Sequence, residues 1–243
     1  MWNDANTLAS VRPRYPAPMQ SSKPDEPAAC CAPPMDPRVA RRFDRIAGEW
    51  MTAGDAPEMV DVSAGLLDLL RDAPLRRPRV LELGSGTGAL SVALLEMGAT
   101  SITGVDISAS SVDVARRRAA DAGFGDSARF ELGNAVDAPA EPHDWVILDR
   151  VICCSAHADR LVGRAIELAG ERIGITLPDS RGWRGIANHV VWNAENAWDL
   201  LRGGCRGYVH DLRRIERHLR AAGFTPSATR HVGLWHIGVY DRA

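Results

Sequence analysis

A glycine-rich turn, with an acidic residue eighteen positions after its end, gives the clearest indication of chemistry in this chain. The turn at residues 84–88 reads Gly-Ser-Gly-Thr-Gly and follows an apolar run, and Asp106 ends the next apolar run. Glycines allow a sharp turn of the backbone and let a ligand approach the main chain closely. A carboxylate at the tip of the second strand can accept two hydrogen bonds from a ribose diol. The spacing therefore predicts an enzyme with a pocket for an adenosine-containing cofactor.

Further polar positions bear on which cofactor is bound. Glu82 lies two residues before the first glycine of the turn. A site for an anionic pyrophosphate has no need of an acid there, whereas a cationic sulfonium ligand would favour one. Asn134 follows the third predicted strand, where its side chain could contact an adenine edge. Asp149 and Arg150 end the fourth strand, at the carboxyl edge where ligands bind in such sheets.

In these residues the chain resembles the class I S-adenosylmethionine-dependent methyltransferases, over roughly residues 60–242. The resemblance implies S-adenosylmethionine as the cofactor and a seven-stranded sheet that ends in an antiparallel strand pair. It implies that Glu82 orders the glycine turn and faces the positive end of the cofactor, and that Asp106 binds the ribose hydroxyls. The cofactor-binding residues expected on this basis are Glu82, Gly84, Ser85, Gly86, Gly88, Asp106, Ile107, Asn134, Ala135, Asp149 and Arg150.

The same resemblance implies how the remaining groups are arranged. Gly84 and Gly86 approach the methionine portion of the cofactor, and Asn134 and Ala135 flank the adenine. Within the superfamily, residues 148–154, Trp183 and residues 233–237 resemble small bacterial methyltransferases related to the magnesium-protoporphyrin O-methyltransferase group. The acceptor-side residues depart from the chlorophyll-pathway pattern, so a porphyrin is one candidate acceptor among several.

The predicted reaction is in-line displacement of the methyl group from the sulfonium to an oxygen, nitrogen or sulfur atom of a small, ring-containing metabolite. A base can remove the acceptor proton. His157 lies just beyond the fourth strand and is the candidate base, and Arg150 is the second candidate catalytic residue. This chemistry requires no metal.

The sequence alone leaves several alternative functions open. The adjacent pairs Cys30-Cys31 and Cys153-Cys154 could jointly hold a soft metalloid such as arsenite. Adjacent cysteines do not have the spacing of a zinc site, and small apolar packing explains Cys153 and Cys154 equally. An NAD-dependent oxidoreductase would share the glycine turn, although Glu82 argues against it. A methyltransferase for protein or nucleic acid and a non-catalytic cofactor-binding module are further hypotheses.

Predicted strands and helices alternate along most of the chain, which indicates an α/β, Rossmann-like fold with a mostly parallel seven-stranded sheet. Residues 1–36 hold seven of the fifteen prolines and are predicted to be a disordered tail. Residues 37–74 are predicted to form an N-terminal helical lid, because apolar residues recur there at helical spacing, and its second helix is predicted to start at 55–57. Ser108 is predicted to cap the helix after the second strand, and one of the two last strands is predicted at 228–233. Residues 75–243 are the predicted methyltransferase domain, with a tryptophan-rich, partly helical insertion at 179–210 on the acceptor side.

The composition excludes several classes of protein. The chain has 243 residues, of which 45% are hydrophobic and 25% charged, as in ordinary globular proteins. Its net charge of −2 argues against a nucleic-acid partner. No stretch approaches the roughly 20 apolar residues that span a bilayer, and the N-terminus lacks the apolar core of a signal peptide. We therefore expect a cytoplasmic enzyme acting on a small molecule, with no membrane partner; the oligomeric state is not set by the sequence.

Overall fold

A computed structural model of the chain describes residues 37–53, 58–71, 77–137, 141–201 and 206–243. It describes the side chains of all these residues except 50–53, 200 and 201. The predicted tail at 1–36, with Cys30 and Cys31, lies outside the described residues. The same is true of the helix start predicted at 55–57.

The described elements alternate largely as the sequence predicts. The helices are α1 (Pro37–Ala53), α2 (Asp61–Arg71), α3 (Ala89–Glu96), α4 (Ala109–Asp121), α5 (Ala158–Leu168), α6 (Gly182–Leu201) and α7 (Leu212–Ala221). The strands are β1 (Arg79–Leu83), β2 (Ser101–Asp106), β3 (Ala128–Leu132), β4 (His143–Leu148), β5 (Ala169–Pro178), β6 (Phe224–Val232) and β7 (Trp235–Arg242). A short 3-10 turn, Ile152–Cys154, follows β4.

The strands form one seven-stranded sheet in the order β3-β2-β1-β4-β5-β7-β6. Neighbouring strands pair in parallel from β3 to β5, whereas β7 is antiparallel to both β5 and β6. This confirms the predicted Rossmann-like sheet with its antiparallel pair. The chain moves outward from β1 to β3 and then returns to β4, so the order reverses between β1 and β4.

Helices cover both faces of the sheet, which is why its central strands are apolar on both sides. Four of the five residues of β1 are buried, and so is the run from Trp145 to Leu148 in β4. One apolar cluster joins the sheet to α5 and α7, and a second joins it to α2 and α3. Ser108 caps α4 as predicted, because its hydroxyl accepts the amide of Ser111 at 3.1 Å.

Two element boundaries differ from the sequence prediction. The helix α2 begins at Asp61, and residues 58–60 before it are not helical. The strand β6 begins at Phe224, four residues earlier than expected, because a register shift between Pro226 and Ala228 accommodates a proline in the strand. The segment 179–210, predicted to be a partly helical insertion, contains the long helix α6. No helix in the described part of the chain is long and apolar enough to cross a membrane.

Candidate functional site

A cavity of about 290 Å³ lies at the carboxyl ends of β1, β2 and β4. The sheet order reverses here, and open α/β sheets bind ligands at such a point. The volume is near the lower end of the range for small-molecule pockets, about 300–1,000 Å³. The predicted site residues that line the cavity are Glu82, Gly84, Ser85, Gly86, Asp106, Ile107, Ala135, Asp149 and Arg150.

The glycine turn is tied to the second strand and leaves space at the cavity. The amides of Gly84 and Ser85 donate to the carbonyl oxygen of Val105 at 2.7 and 3.1 Å. Gly84 and Gly86 have φ angles of +83° and +50°, a region that glycine adopts without strain. A Cβ atom on Gly84 would overlap the side chain of Val151, whereas a Cβ on Gly86 would meet nothing within 4 Å. Gly84 is thus required for packing, and Gly86 keeps open space for a ligand.

The carboxylate of Asp106 connects β2 to this turn. Its Oδ2 accepts the amide of Gly86 at 2.8 Å, and its Oδ1 accepts the amide of Ser108 at 2.9 Å. Burial raises the pKa of Asp106 above its usual value, while these backbone hydrogen bonds act in the opposite direction. Each carboxylate oxygen has a second lone pair. Asp106 can therefore hold the turn and still accept hydrogen bonds from hydroxyl groups in the cavity.

Glu82 is a buried acid at the cavity wall, with 2% of its surface exposed. The hydroxyl of Ser91 donates a hydrogen bond to its carboxylate. Burial, with smaller contributions from the carboxylates of Asp149 and Asp106, raises the pKa of Glu82 to about 8 against the opposing effect of the Ser91 hydrogen bond. Four acids line the cavity, Glu58 being the fourth, and they favour a cationic ligand, whose charge would stabilise the ionised form of Glu82.

The hydroxyl of Ser85 indicates where a polar group of a ligand could bind. It is buried and has no hydrogen-bond partner among the described residues, although Ser85 lines the cavity. Buried hydroxyls in folded proteins are nearly always paired. With the open space at Gly86 and the acids Glu82 and Asp106, this unpaired hydroxyl fits a cofactor that carries a ribose and a positive charge.

Gly88 and Arg118 support the turn from behind. A Cβ atom on Gly88 would lie 2.9 Å from the Cβ of Ala115 in α4, so Gly88 allows close helix packing and does not line the cavity. The guanidinium of Arg118 donates to the carbonyl and hydroxyl oxygens of Thr87 at 3.1 and 3.2 Å. Burial lowers the pKa of Arg118. No sequence pattern marks Arg118, because its contact joins residues 31 positions apart.

Asp149 is held by two hydroxyl groups from different elements. Thr176 of β5 donates to its Oδ1 at 2.6 Å, and Ser63 of α2 donates to its Oδ2. Burial raises the pKa of Asp149, and both hydrogen bonds oppose this rise. Ser63 also lines the cavity and was not marked by the sequence, since it lies 86 positions from its partner.

Arg150 has an unusual backbone and an unpaired charge. Its φ of +55° lies in the left-handed region, where a side chain other than glycine is strained. Its amide donates to the hydroxyl of Thr176 at 2.7 Å, which fixes the backbone. Its guanidinium forms no hydrogen bond or ion pair within the described residues. Arg150 lines the cavity, so this positive charge is available to a ligand.

The adenine side of the predicted site is apolar. Ile107 and Ala135 line the cavity, but Asn134 does not. The Asn134 amide nitrogen donates to Asp137 at 2.9 Å, and its oxygen accepts the amide of Val136 at 3.1 Å. The side chain thus closes a local turn, as asparagine commonly does after a strand. Its contact with adenine has no support from this geometry.

His157 lies outside the cavity. It is exposed, immediately precedes α5, and is not among the cavity-lining residues. The prediction that it acts as the base therefore has no support from the geometry of the described residues. Cys154, which follows Arg150 in the chain, does line the cavity.

Two N-terminal segments complete the cavity wall. Val39 and Phe43 of α1 line it, and so do Met59 and Val60 before α2. The carboxylate of Asp44 anchors α1 to the start of α4, since it accepts the hydroxyl of Ser108 at 2.7 Å and the amide of Ser110 at 3.2 Å. The tryptophans Trp183 and Trp192 of α6 do not line the cavity; Trp183 is 64% exposed.

A second polar cluster lies at the ends of β5, β6 and β7. His231 contacts the Asp179 carboxylate at 2.7 Å, and Arg181 donates to Asp179 and to the Nδ1 of His236 at 3.2 Å each. Ligand atoms of Asp179, His231 and His236 lie within 4.8 Å of one another, as metal ligands would. The guanidinium of Arg181 already supplies a positive charge to two of them. Burial lowers the pKa of His236 to about 4, so the ring is neutral.

Comparison with known proteins places this arrangement among methyltransferases. A family model described as a methyltransferase domain matches residues 76–199. The ubiquinone biosynthesis O-methyltransferase of Neisseria meningitidis serogroup C is 33% identical over 110 residues, which cover 44% of this chain and 46% of that protein. The ribosomal protein L11 methyltransferase of Deinococcus radiodurans is 35% identical over 86 residues, 33% and 32% of the two chains. The matches thus span less than half of these two relatives.

A solved structure shares the fold over a greater length. The magnesium protoporphyrin IX methyltransferase of Synechocystis PCC 6803, crystallised with bound SAH, superposes with a TM-score of 0.65. It is 19% identical, and the match covers 86% of this chain and all of that one. This similarity confirms the sheet order and its surrounding helices as a methyltransferase fold.

Proposed function

The chain belongs to the family of methyltransferase domains, and on this premise we propose that the protein transfers the methyl group of S-adenosylmethionine to a small, ring-containing metabolite. The observation that carries the proposal is the single cavity in which the glycine turn, the buried Glu82 and Asp106 meet. These groups suit a ligand that combines a positive charge with a ribose. The family match favours this reaction over the oxidoreductase alternative.

We propose roles for the cofactor-binding residues that follow from their chemistry. Asp106 binds the ribose hydroxyls through its free lone pairs, and the open face of Gly86 admits the methionine portion. Glu82 and Asp149 stabilise the ammonium and sulfonium charges. The apolar side chains of Ile107 and Ala135 pack against the adenine.

S-adenosylmethionine supplies an activated methyl group, so the protein mainly has to align the acceptor with it. Phe43, Met59 and Val60 give the cavity an apolar wall, which supports a flat ring compound as acceptor. We also propose that residues 37–74 act as a lid over the cofactor, supported by the contact of α1 with the start of α4. The insertion at 179–210 is proposed to border the acceptor side.

Two alternatives receive weaker support. A joint metalloid site would need Cys30 and Cys31, which lie outside the described residues, and only Cys154 of the second pair lines the cavity. A protein acceptor is suggested by the name of one relative, but the alignment covers a third of each chain.

The proposal is tested in two stages. Isothermal titration calorimetry with S-adenosylmethionine and with NAD is expected to give binding of the first alone; preference for NAD would reject the family-based reaction. Methyl-labelled S-adenosylmethionine is then incubated with the reduced protein and host-cell extract, and the label is separated by molecular size. Label in the small-molecule fraction supports the proposal, whereas label only in macromolecules would assign a protein or nucleic-acid acceptor.

A further inference from the structure

Of the two cysteines that the structure describes, Cys154 lines the cavity and Cys153 does not. Cys154 lies in the 3-10 turn directly after β4, at the same cavity end as Arg150. Phe43 and Val60 line the same cavity and provide it with apolar surface. The thiolate form of cysteine is a proton acceptor and a nucleophile, so a cysteine in the wall of this partly apolar cavity can take part in the reaction.

The neighbouring Cys153 lies behind Cys154 and differs from it in exposure. Cys153 is 3% exposed and does not line the cavity. Its thiol donates to the carbonyl oxygen of Arg150 at 3.4 Å, and the Cys154 thiol lies 3.7 Å from the same oxygen. The two Sγ atoms are 3.9 Å apart, and either thiol can be the donor of the pair. The pair therefore consists of a buried thiol and a cavity-facing thiol in contact with each other.

The charges around Cys154 favour its ionised form. The hydrogen bond with Cys153 lowers the pKa of Cys154, and the positive charges of Arg150 and Arg42 lower it further, against burial and the negative charge of Asp106. The pKa of Cys153 is raised by the same pair interaction and by burial. Of these charged groups, Arg42 belongs to α1 and Asp106 to β2. A further titratable side chain, His210 in the segment before α7, contacts the carbonyl oxygen of Ser155, the residue after Cys154.

We propose that Cys154 takes the proton of the methyl acceptor while Arg150 holds the resulting anion, so that the acceptor is an acidic hydroxyl or thiol on a ring. The proposal rests on the methyltransferase function proposed above. Three observations support it: the Cys154 thiol at the cavity wall, the Arg150 guanidinium without a partner among the described residues, and the buried Cys153 thiol in contact with Cys154. It replaces His157, which lies outside the cavity, as the proton acceptor.

The step balances without any further reactant. The acceptor O–H or S–H bond breaks, and its proton moves to the Cys154 thiolate, which becomes a thiol. The acceptor oxygen or sulfur forms a bond to the methyl carbon, and the methyl–sulfonium bond breaks with its electron pair on sulfur. The products are the methylated acceptor and neutral-sulfur S-adenosylhomocysteine. Cys154 later returns its proton to solvent.

A first experiment measures the thiolate directly and needs no acceptor. The reduced protein is treated with iodoacetamide at pH values from 6 to 9, and alkylation of each cysteine is followed by peptide mass spectrometry. We expect Cys154 to react faster than Cys153, because it is more accessible and has the larger thiolate fraction. Arg150→Met should slow the alkylation of Cys154 at neutral pH. Equal rates for the two thiols, or no effect of R150M, would overturn the proposal.

A second experiment follows the reaction with the small-molecule fraction that accepts label. Cys154→Ala should keep the affinity for S-adenosylhomocysteine, and its kcat/KM should fall by about 100-fold or more, the usual contribution of a general base. Its rate should recover as the pH rises, because the acceptor then ionises without help. A merely structural thiol would give a loss that does not depend on pH.

Two outcomes separate this proposal from the proposed function itself. If wild-type protein binds S-adenosylmethionine and transfers label but C154A is equally active, the role of Cys154 is rejected and the methyltransferase function stands. If the wild-type protein neither binds S-adenosylmethionine nor transfers label, the proposed methyltransferase function itself is rejected. A methyl group found on Cys154 by intact-protein mass would also reject the proposal, since the thiol would then be the acceptor.

Discussion

At the scale of single residues, the buried acid Glu82 is the group whose state depends most on the ligand. With a pKa raised to about 8 by burial, it is protonated at neutral pH in the free protein. A cationic cofactor stabilises the ionised form and lowers this pKa. Binding below pH 8 therefore releases a proton, and the affinity rises as the pH approaches 8.

The first prediction follows from this linkage. At pH 7 the wild-type protein is expected to release close to one proton when it binds S-adenosylmethionine, and Glu82→Gln is expected to release almost none. Calorimetry in two buffers with different ionisation enthalpies measures the number of protons. Identical binding heats in both buffers for the wild type would contradict the assignment of Glu82.

The second prediction concerns Asp106. Asp106→Ala should weaken S-adenosylhomocysteine binding by about 1–3 kcal/mol, because hydroxyl groups in the cavity lose their acceptor. Asp113→Ala is the matched control, since Asp113 is an exposed acid on α4 that pairs with Arg116 and does not line the cavity. Titration calorimetry compares the two variants. Equal affinities for both would exclude a ribose contact.

At the scale of elements, the glycine turn, the second strand and its acid follow from sequence because they are local. A strand, a tight turn and a helix fix the position of Gly86 relative to Asp106 within one βαβ unit. Ser63 and Arg118 are different, because each reaches the site or its support through packing between elements distant in sequence. No periodicity or spacing in the sequence predicts such contacts, so they can be identified only in the folded structure.

The same distinction explains the misplaced boundaries. The cap at Ser108 is a local hydrogen bond and was predicted correctly. The start of β6 depends on pairing with β7, which overrides the disfavour for Pro226 in a strand. The Asn134 side chain forms local hydrogen bonds to residues 136 and 137, so its predicted contact with adenine gains no support from the structure.

The third prediction separates backbone strain from ligand space in the turn. Gly86 and Gly233 have nearly the same positive φ, +50° and +55°, and a Cβ on either meets nothing within 4 Å. Alanine at either position should therefore destabilise the protein by a similar amount, about 1 kcal/mol. Gly86→Ala alone should weaken cofactor binding, because Gly86 lines the cavity and Gly233 does not. Thermal unfolding and titration calorimetry measure the two effects. Loss of binding in both variants would show that strain alone is responsible.

At the scale of the whole molecule, the cluster around Arg181 connects the ends of β5, β6 and β7. Arg181 contacts Glu216 at 3.3 Å as well as Asp179, and His236 contacts the hydroxyl of Tyr240 at 3.3 Å. Buried polar networks of this kind are costly when one member changes its charge. The neutral ring of His236 therefore makes the stability of the fold sensitive to pH.

The fourth prediction states the direction of this effect. The folded pKa of His236, about 4, is below the value of about 6.5 in an unfolded chain. The unfolded state therefore binds the proton first, and stability is lost as the pH falls from 6.5 towards 4. Between pH 7 and 5 the loss attributable to His236 is about 2 kcal/mol. His236→Gln should remove this part of the pH dependence, whereas the exposed His189→Gln should not.

Urea unfolding at pH 7, 6 and 5, followed by tryptophan fluorescence, measures the three proteins. The informative quantity is the change in the free energy of unfolding with pH, not its absolute value, because H236Q also alters the packing. If the wild type and H236Q lose the same stability between pH 7 and 5, other groups account for the acid sensitivity.

The position of β7 has a consequence for how the chain is made. This strand follows all the other described strands in sequence, yet it lies inside the sheet, between β5 and β6. During synthesis on the ribosome, β5 can pair with β4 but keeps an open hydrogen-bonding edge until β7 emerges. Such an edge can join another nascent chain. Translation that stops before residue 235 should therefore yield aggregates, even though every residue of the cavity wall has already been made.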